Sequence, residues 1–412
     1  MRSKAAPALT LLFLVNVLNF YDRLALGAVI EPIRREFHLS DTQLGALVTW
    51  FTVVFALTGI PLGRLADRGS RRKILAAGVT LWASLTGLAG IAASYTMLLA
   101  TRLGVGIGEA VCSPAAVSWI GDIVPAERRG RAMAWFMMAV PVGGLLSFSI
   151  TGPAAQAWGW RAALAIAAAP MVVLAPALLW LKEPERRRTP AGGRDRFRAP
   201  RGFWWIAASG AIINFALYSF STFVPAFLTR YHGLSVARAG VWMGIGSGTA
   251  GVAGAAAAGL IGDRVRNRLG VVAAISLVAS GPLFAAISMP AGAAIQTVVL
   301  AMTGYGLLQM YYGLVYAVLQ DLFPPTMRAT GVAVYLVATY LGGASWGPVA
   351  TGKISDMLAR RAAGGGLLSE AARAEGLHQA MYLIPILAVI LGAVLWMGQR
   401  TQTMSAETPK IA

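Results

Sequence analysis

Twelve times along this chain the sequence runs for about twenty residues with almost no charge, the length a helix needs to cross the hydrocarbon core of a bilayer. The runs lie near 8–30, 43–63, 74–93, 96–119, 131–153, 162–181, 203–229, 238–261, 270–289, 293–319, 329–352 and 378–398. A bilayer offers backbone N–H and C=O groups no water, so a chain that crosses this often must do so as helices. With 57% hydrophobic and 13% charged residues among 412, too little polar surface remains for a soluble domain. The expected fold class is all-α integral membrane. The first run follows Arg2 and Lys4, as a secretory signal would, but it is too long, has no small-residue cleavage site and carries Asp22 and Arg23. It reads as an uncleaved helix.

Twelve spans put both termini on one face. Segments on that face hold 24 Lys and Arg residues and those on the other face hold 9, with Arg23 and Arg102 inside spans. The positive-inside rule therefore places both termini in the cytoplasm of a multi-pass protein of the inner cell membrane. The net charge of +18 is then a topology signal rather than a nucleic-acid footprint. One cysteine, Cys112, excludes a disulfide framework, and His38, His232 and His378 are too few for a multi-histidine metal site. No cofactor and no metal are expected.

The segment 182–201, KEPERRRTPAGGRDRFRAPR, is too charged and too rich in Pro and Gly to cross a bilayer. It divides the chain into a six-helix bundle over 1–181, a cytoplasmic linker over 182–201 and a second bundle over 202–400, with a cytoplasmic tail at 401–412. Internal repetition supports the cut. Gly63 with Asp67 and Arg68 recurs as Gly259 with Asp263 and Arg264, at an offset of 196. Asp122-Ile-Val-Pro125 with Arg129 recurs as Asp321-Leu-Phe-Pro324 with Arg328 at 199, and Thr151-Gly152 as Thr351-Gly352 at 200. A duplicated six-helix unit places a substrate between the halves near the midplane.

Four formal charges fall inside spans, all in the first half: Asp22 and Arg23 in the first, Arg102 and Glu109 in the fourth. An unpaired charge at the bilayer centre costs at least ~2.5–3.5 kcal/mol, so such groups pair and mark pathways. Two acids and two guanidinium groups can pair completely. Arg102, Gly106, Glu109 and Ser113 share one helical face, and Asn16, Asn19 and Arg23 form a similar stripe on the first helix. The seventh span offers Asn214, Tyr218, Ser221 and Thr222; the tenth offers Tyr305, Gln309, Tyr312 and Tyr316. One wall is ionic and the other carries rings and hydroxyls, which suits an anion with an organic body. The competing interpretations are a salt-bridge network that only fixes the helices, and ordinary packing for the tyrosines.

Gly63-Arg-Leu-Ala-Asp67-Arg68-Gly69-Ser-Arg71-Arg72-Lys73 resembles the loop 2–3 motif of the major facilitator superfamily, with one residue fewer before its glycine than the commonest form. The resemblance covers essentially the whole chain and implies twelve helices in two pseudo-symmetric six-helix bundles, with helices 1, 4, 7 and 10 lining the cavity. Asn19-Phe-Tyr-Asp22-Arg23, the Arg102–Ala110 segment with Glu109, Ile120-Gly-Asp122 and Pro141-Val-Gly143 resemble the Spinster-like carriers of lipids and organic anions. The first two also resemble the anion:cation symporters of sugar acids. Under this resemblance Asp67, Arg68, Arg71, Arg72, Asp122, Arg129, Asp263 and Arg264 form cytoplasmic gates.

The function expected is secondary active transport by rocker-switch alternating access. An incoming carboxylate or phosphate competes for Arg23 or Arg102, which bind such groups through paired hydrogen bonds. The displaced carboxylate, Glu109 first and Asp22 as its partner, is left beside a like charge and takes up a proton. Asn19, Asn214, Tyr218, Tyr305, Gln309 and Tyr312 complete the substrate site. The expected partners are an anionic small molecule or lysolipid, protons and the lipid bilayer, with no nucleic acid, and the protein acts as a monomer. The alternatives are a proton-coupled sugar-acid or monocarboxylate symporter and a multidrug-type exporter. Enzyme chemistry is not expected, because a nucleophile–base or metal constellation would have to sit in the membrane interior, and no histidine lies there: His378 only opens the last run.

Overall fold

Short polar signals set where the apolar runs start as helices. The computed structural model describes residues 5–183, 199–200, 202–262, 264–265, 267–324 and 327–407, and every element among them is helical. The first half holds α1 (Ala5–Phe37), α2 (Asp41–Arg68), α3 (Arg71–Ala89), α4 (Tyr95–Ala110), α5 (Cys112–Ile123), α6 (Ala126–Met137), α7 (Ala139–Ala168) and α8 (Met171–Trp180). Ser40 opens α2 in a reciprocal capping box with Gln43, while Ser70 and Ser94 cap α3 and α4. The second half holds α9 (Phe203–Arg230), α10 (Val236–Gly262), α11 (Arg268–Ile287), α12 (Ala294–Leu322) and α13 (Arg328–Thr339). A π-helical turn, Tyr340–Ala344, leads into α14 (Gly347–Ala362), then α15 (Glu370–Met381) and α16 (Leu383–Glu407).

Ten segments among the described residues are long and apolar enough to cross a membrane. The difference from twelve runs has two physical sources. Arg71, Arg72 and Lys73 occupy the first turn of the 19-residue α3, so its hydropathy falls short. The fifth and sixth runs merge into one apolar stretch, Arg128–Trp180. That stretch turns at Gly159, whose φ of 83° is a left-handed conformation that glycine adopts without a Cβ clash.

Two expected boundaries move. The first helix continues past residue 30 because Glu31 accepts hydrogen bonds from Arg34 (2.8 Å) and Arg35 (3.0 Å) on the next turn. The segment 353–377, between the eleventh and twelfth apolar runs, is mostly helical. α14 continues to Ala362, and α15 starts at the Ser369 cap and lies close on α14, where a Cβ on Gly376 would stand 2.5 Å from the Ala359 amide nitrogen.

The chain forms two compact units. One comprises Met1–Thr189 with Val224–Thr229 and Leu234–Gly248; the other comprises Pro190–Phe223, Arg230–Gly233 and Thr249–Ala412. In the first, α1 packs on α7, α2 on α4, and α3 on both α4 and α8. Its core gathers Leu75, Val79, Trp82, Val105, Trp119 and Phe136, all buried. In the second, α11 packs between α12 and α16, and α14 lies along α15.

Candidate functional site

Helix pitch alone brings Asn19 and Arg23 to one face of α1, and the guanidinium Nη2 donates to Asn19 Oδ1 at 3.2 Å. Across the bundle, Arg23 Nε and Nη2 both donate to Glu109 Oε2 of α4, at 3.2 and 3.0 Å. Glu109 Oε1 is buried without a hydrogen-bond partner. The other two charges form a second, looser cross-helix pair. Arg102 Nη1 stands 3.7 Å from Asp22 Oδ2, and Arg102 Nη2 donates to Thr86 Oγ1 at 3.3 Å. Neither oxygen of Asp22 has a hydrogen-bond partner, and Asp22 and Glu109 are near enough to repel each other. Four ions are therefore held as two pairs between α1 and α4.

Access to the four is unequal. The Asp22 and Glu109 side chains are wholly buried and that of Arg102 is 3% exposed, whereas Arg23 keeps 7%. Phe20, Phe51 and Phe55 surround the Arg23 guanidinium, with ring centroids 5.1, 5.5 and 4.3 Å from its carbon. Ring faces attract a cation and shield it from water, and the Nε–Nη2 edge of the guanidinium is turned to Glu109. Gly106 makes this possible: a Cβ there would lie 2.8 Å from the Phe51 carbonyl oxygen, so only glycine lets α2 bring its phenyl rings against α4. The sequence reading missed these three rings. Their signal was the i, i+4 spacing of Phe51 and Phe55 on α2. Asn16 Nδ2 is engaged elsewhere, donating to the Phe136 carbonyl at 3.2 Å. Ser113 lies beyond the break at Val111, where α4 ends and α5 begins.

The second unit carries the ring-and-hydroxyl wall. Tyr312 donates to Asn214 Oδ1 at 3.2 Å, and Gln309 Nε2 donates to the Tyr305 hydroxyl at 3.2 Å, leaving Gln309 Oε1 without a hydrogen-bond partner. Tyr305 stacks on Phe220 at 5.3 Å, and Tyr218 meets Tyr340 of the π turn edge-on at 6.1 Å. Behind them, a hydroxyl chain runs from Ser209 through Tyr311 to Tyr335, at 2.8 and 3.1 Å. Tyr311, Tyr335 and Tyr340 were absent from the sequence-derived set; π turns cluster at functional positions, but single-sequence periodicity does not reveal them.

The charged loop motifs make their contacts within each unit. Arg71, buried at the start of α3, pairs with Asp122 (2.5 Å) and donates to Ser118 (3.0 Å). Its backbone N–H donates to Glu183 Oε1 at 2.7 Å, and Ser70 donates to Glu183 Oε2. Glu183 thus caps α3 and holds the chain after α8 against it. Burial pushes its carboxyl up, but the hydrogen bonds from Ser70 and Arg71 outweigh that and hold it below the usual carboxylate range. Arg72 donates to the Leu179 and Leu181 carbonyls at 3.0 and 3.2 Å, and Arg129 to the Val124 carbonyl at 3.2 Å. The second unit repeats the pattern: Arg328 donates to the Phe323 carbonyl at 3.3 Å, and Arg268 pairs with Asp321 at 2.8 Å. Arg264 is exposed; Asp263 and the side chains of Asp67 and Arg68 lie outside the described residues.

Comparison with known proteins places this geometry. The Major Facilitator Superfamily profile matches residues 12–347. An MFS-type efflux pump of Mycolicibacterium smegmatis is 32% identical over 409 residues, covering 95% of this chain and 92% of the pump. The sphingosine-1-phosphate transporter SPNS2 of Danio rerio is 27% identical and covers 93% of this chain and 81% of that protein. Among solved structures, a bacterial homologue of the human lysosomal transporter Spinster, inward-facing and occupied, superposes with a TM-score of 0.87 at 29% identity, covering 97% of each chain. These relatives are transporters, not enzymes. The chain belongs to the major facilitator superfamily, in its Spinster-like branch, and is a multi-pass membrane transporter.

Proposed function

We propose that this transporter is a secondary active, proton-coupled carrier of an organic anion, with a carboxylate or phosphate headgroup on an apolar body. The observation that carries the proposal is the asymmetric hold on Arg23. Both of its hydrogen bonds to Glu109 fall on one oxygen, and Arg23 keeps the most exposure of the four ions. An arriving anion meets Arg23 first and competes for its donors. Glu109, stripped of those donors and wholly buried near Asp22, then takes up a proton. Anion and proton favour each other, and by linkage the coupling is reciprocal, which is the sign of symport. An antiporter of cations needs the opposite sign.

The name of the zebrafish relative, a sphingosine-1-phosphate transporter, supports a phosphate headgroup on a hydrocarbon tail. Arg23 then holds the phosphate in the first unit, while in the second the rings of Tyr305, Tyr312 and Phe220 offer a surface that suits a hydrocarbon chain. Asn19 positions Arg23, and Arg102 holds Asp22 in reserve. The mycobacterial efflux pump favours export as a second reading. The loops of Arg71 and Arg268 lie in the cytoplasm with both termini, the protein sits in the inner cell membrane as a monomer, and transport proceeds by alternating access.

The test is a thermal-shift screen of the purified protein against anionic lysophospholipids, sugar acids and monocarboxylates at pH 6 and pH 8. The expected hit stabilises more strongly at pH 6 and loses its effect in Arg23→Ala. Stabilisation only by cationic amphiphiles, more strongly at pH 8, overturns the proposal.

A further inference from the structure

Two of the three histidines in the chain, 146 residues apart, meet in one cluster of the second unit. His378 of α15 stacks on Tyr231, the first residue after α9, with ring centroids 4.0 Å apart. Tyr231 meets His232 edge-on at 5.1 Å. His378 Nε2 stands 2.8 Å from the carbonyl oxygen of Ile287, the last residue of α11. His232 Nε2 stands 3.3 Å from the Thr297 hydroxyl, in the first turn of α12. The pair therefore ties the turn between α9 and α10 to the ends of α11, α12 and α15. That turn is a special piece of chain. Arg230–Gly233 groups with the second unit, whereas the helix ends on either side, Val224–Thr229 and Leu234–Gly248, group with the first.

We propose that His378 and His232 form a pH-responsive clasp that fastens this turn to the second unit and tightens on acidification. A carbonyl oxygen can only accept, so the proton of neutral His378 sits on Nε2. Its Nδ1 faces Glu375 Oε2 at 3.7 Å. In the neutral ring a lone pair confronts a carboxylate there; a second proton turns the contact into an ion pair. The same proton sets a cation on the face of Tyr231, which its π-electrons attract. The ionisable groups that meet His378 include Glu375 on its own helix, Tyr382 directly after that helix, and Tyr231 and His232 from the turn. Tyr382 shares a hydrogen bond with Ser288, just after α11, at 3.1 Å. Burial first, and then the neighbouring His378, hold His232 below the usual histidine range, so it stays neutral and keeps Thr297. One proton therefore sets the clasp. Histidine is the residue type from which switches at physiological pH are built. This cluster lies outside the Arg23–Glu109 network. That it faces the outer solution rests on the proposed orientation.

The experiment is thermal unfolding of the full-length protein in detergent, followed by tryptophan fluorescence from pH 8 to pH 5.5, where both faces share one solution. Wild type is expected to gain about 2 °C on acidification, the order expected of a single ion pair. His378→Gln, which keeps an N–H donor for Ile287, flattens the profile, and Glu375→Gln reduces the gain. Glu109→Gln keeps it, which separates the clasp from the proposed transport site. An unchanged profile in His378→Gln overturns the proposal. Should that variant not fold, imidazole NMR of the wild type decides, since the chain has only three histidines. Titration of the His378 ring in this range, shifted to lower pH by Glu375→Gln, supports the clasp, and a His378 ring that does not titrate refutes it.

Discussion

Arg23 gives both of its Glu109 hydrogen bonds to the same oxygen, Oε2, at 3.2 and 3.0 Å, while Oε1 of that buried carboxylate has no hydrogen-bond partner. A guanidinium engaging both carboxylate oxygens would be a stronger and more permanent lock. The arrangement found is one that a competing anion can dislodge.

Coupling should therefore be visible without a transport assay. Adding an anion identified by the screen to weakly buffered, purified protein is expected to alkalinise the solution as Glu109 takes up a proton. Glu109→Gln should bind the anion with no accompanying proton uptake. Undiminished uptake by this variant would move the proton to another residue.

Phe55 has the nearest of the three rings to Arg23, at 4.3 Å. Replacing it with Ala removes a cation–π contact of about 0.5–2 kcal/mol. We expect anion affinity to drop several-fold in isothermal titration, while Phe55→Tyr stays near wild type because it keeps the ring.

Gly106→Val tests the close approach of α2 to α4. Its Cβ would meet the Phe51 carbonyl oxygen at 2.8 Å, and overpacking of this kind costs about 1–3 kcal/mol. The melting temperature should fall even without ligand. Gly121→Ala, where nothing lies within 4 Å, is the matched control and should melt with the wild type.

Glu183 predicts a pH dependence at the start of α3. Its folded-state carboxyl titrates below the usual range, so its contribution to stability is complete above the unfolded value and disappears as pH falls through the folded one. Acid unfolding monitored by tryptophan fluorescence should show wild type losing stability more steeply below about pH 4.3 than Glu183→Gln does. Near pH 7 the variant should be the less stable of the two. Because the side chain is partly exposed, the difference is expected to be small.

Much of this molecule can be read from the chain alone, for identifiable reasons. Backbone polar groups in a bilayer leave few choices, so apolar runs become helices wherever Ser40, Ser70, Ser94 or Asn267 can cap them. Four charges among apolar residues announce themselves by their cost, and Asp22, Arg23, Arg102 and Glu109 do meet between α1 and α4. Other partners give no such signal. Phe51 and Phe55 look like any lipid-facing residues until α2 is set against α4, and Thr86 like any hydroxyl. Glu183 hides in a linker full of charges, although it caps α3 from 112 residues away. The continuation of α14 and α15 was illegible because its driving force is the closeness of Gly376 to Ala359, a tertiary contact. The pairing of Asp321 with Arg268 gave no signal either, because it depends on where α11 starts.

Each ionic fastener, Arg71 with Asp122 and Glu183, and Arg268 with Asp321, begins and ends inside a single unit. The peptide bonds between Glu183 and Gly202 are therefore dispensable to both knots. Two separately encoded fragments, divided near Gly192-Gly193, should each retain their own knot and reassemble into a working carrier. A division before Glu183 would leave the amino-terminal fragment without the acid that caps α3.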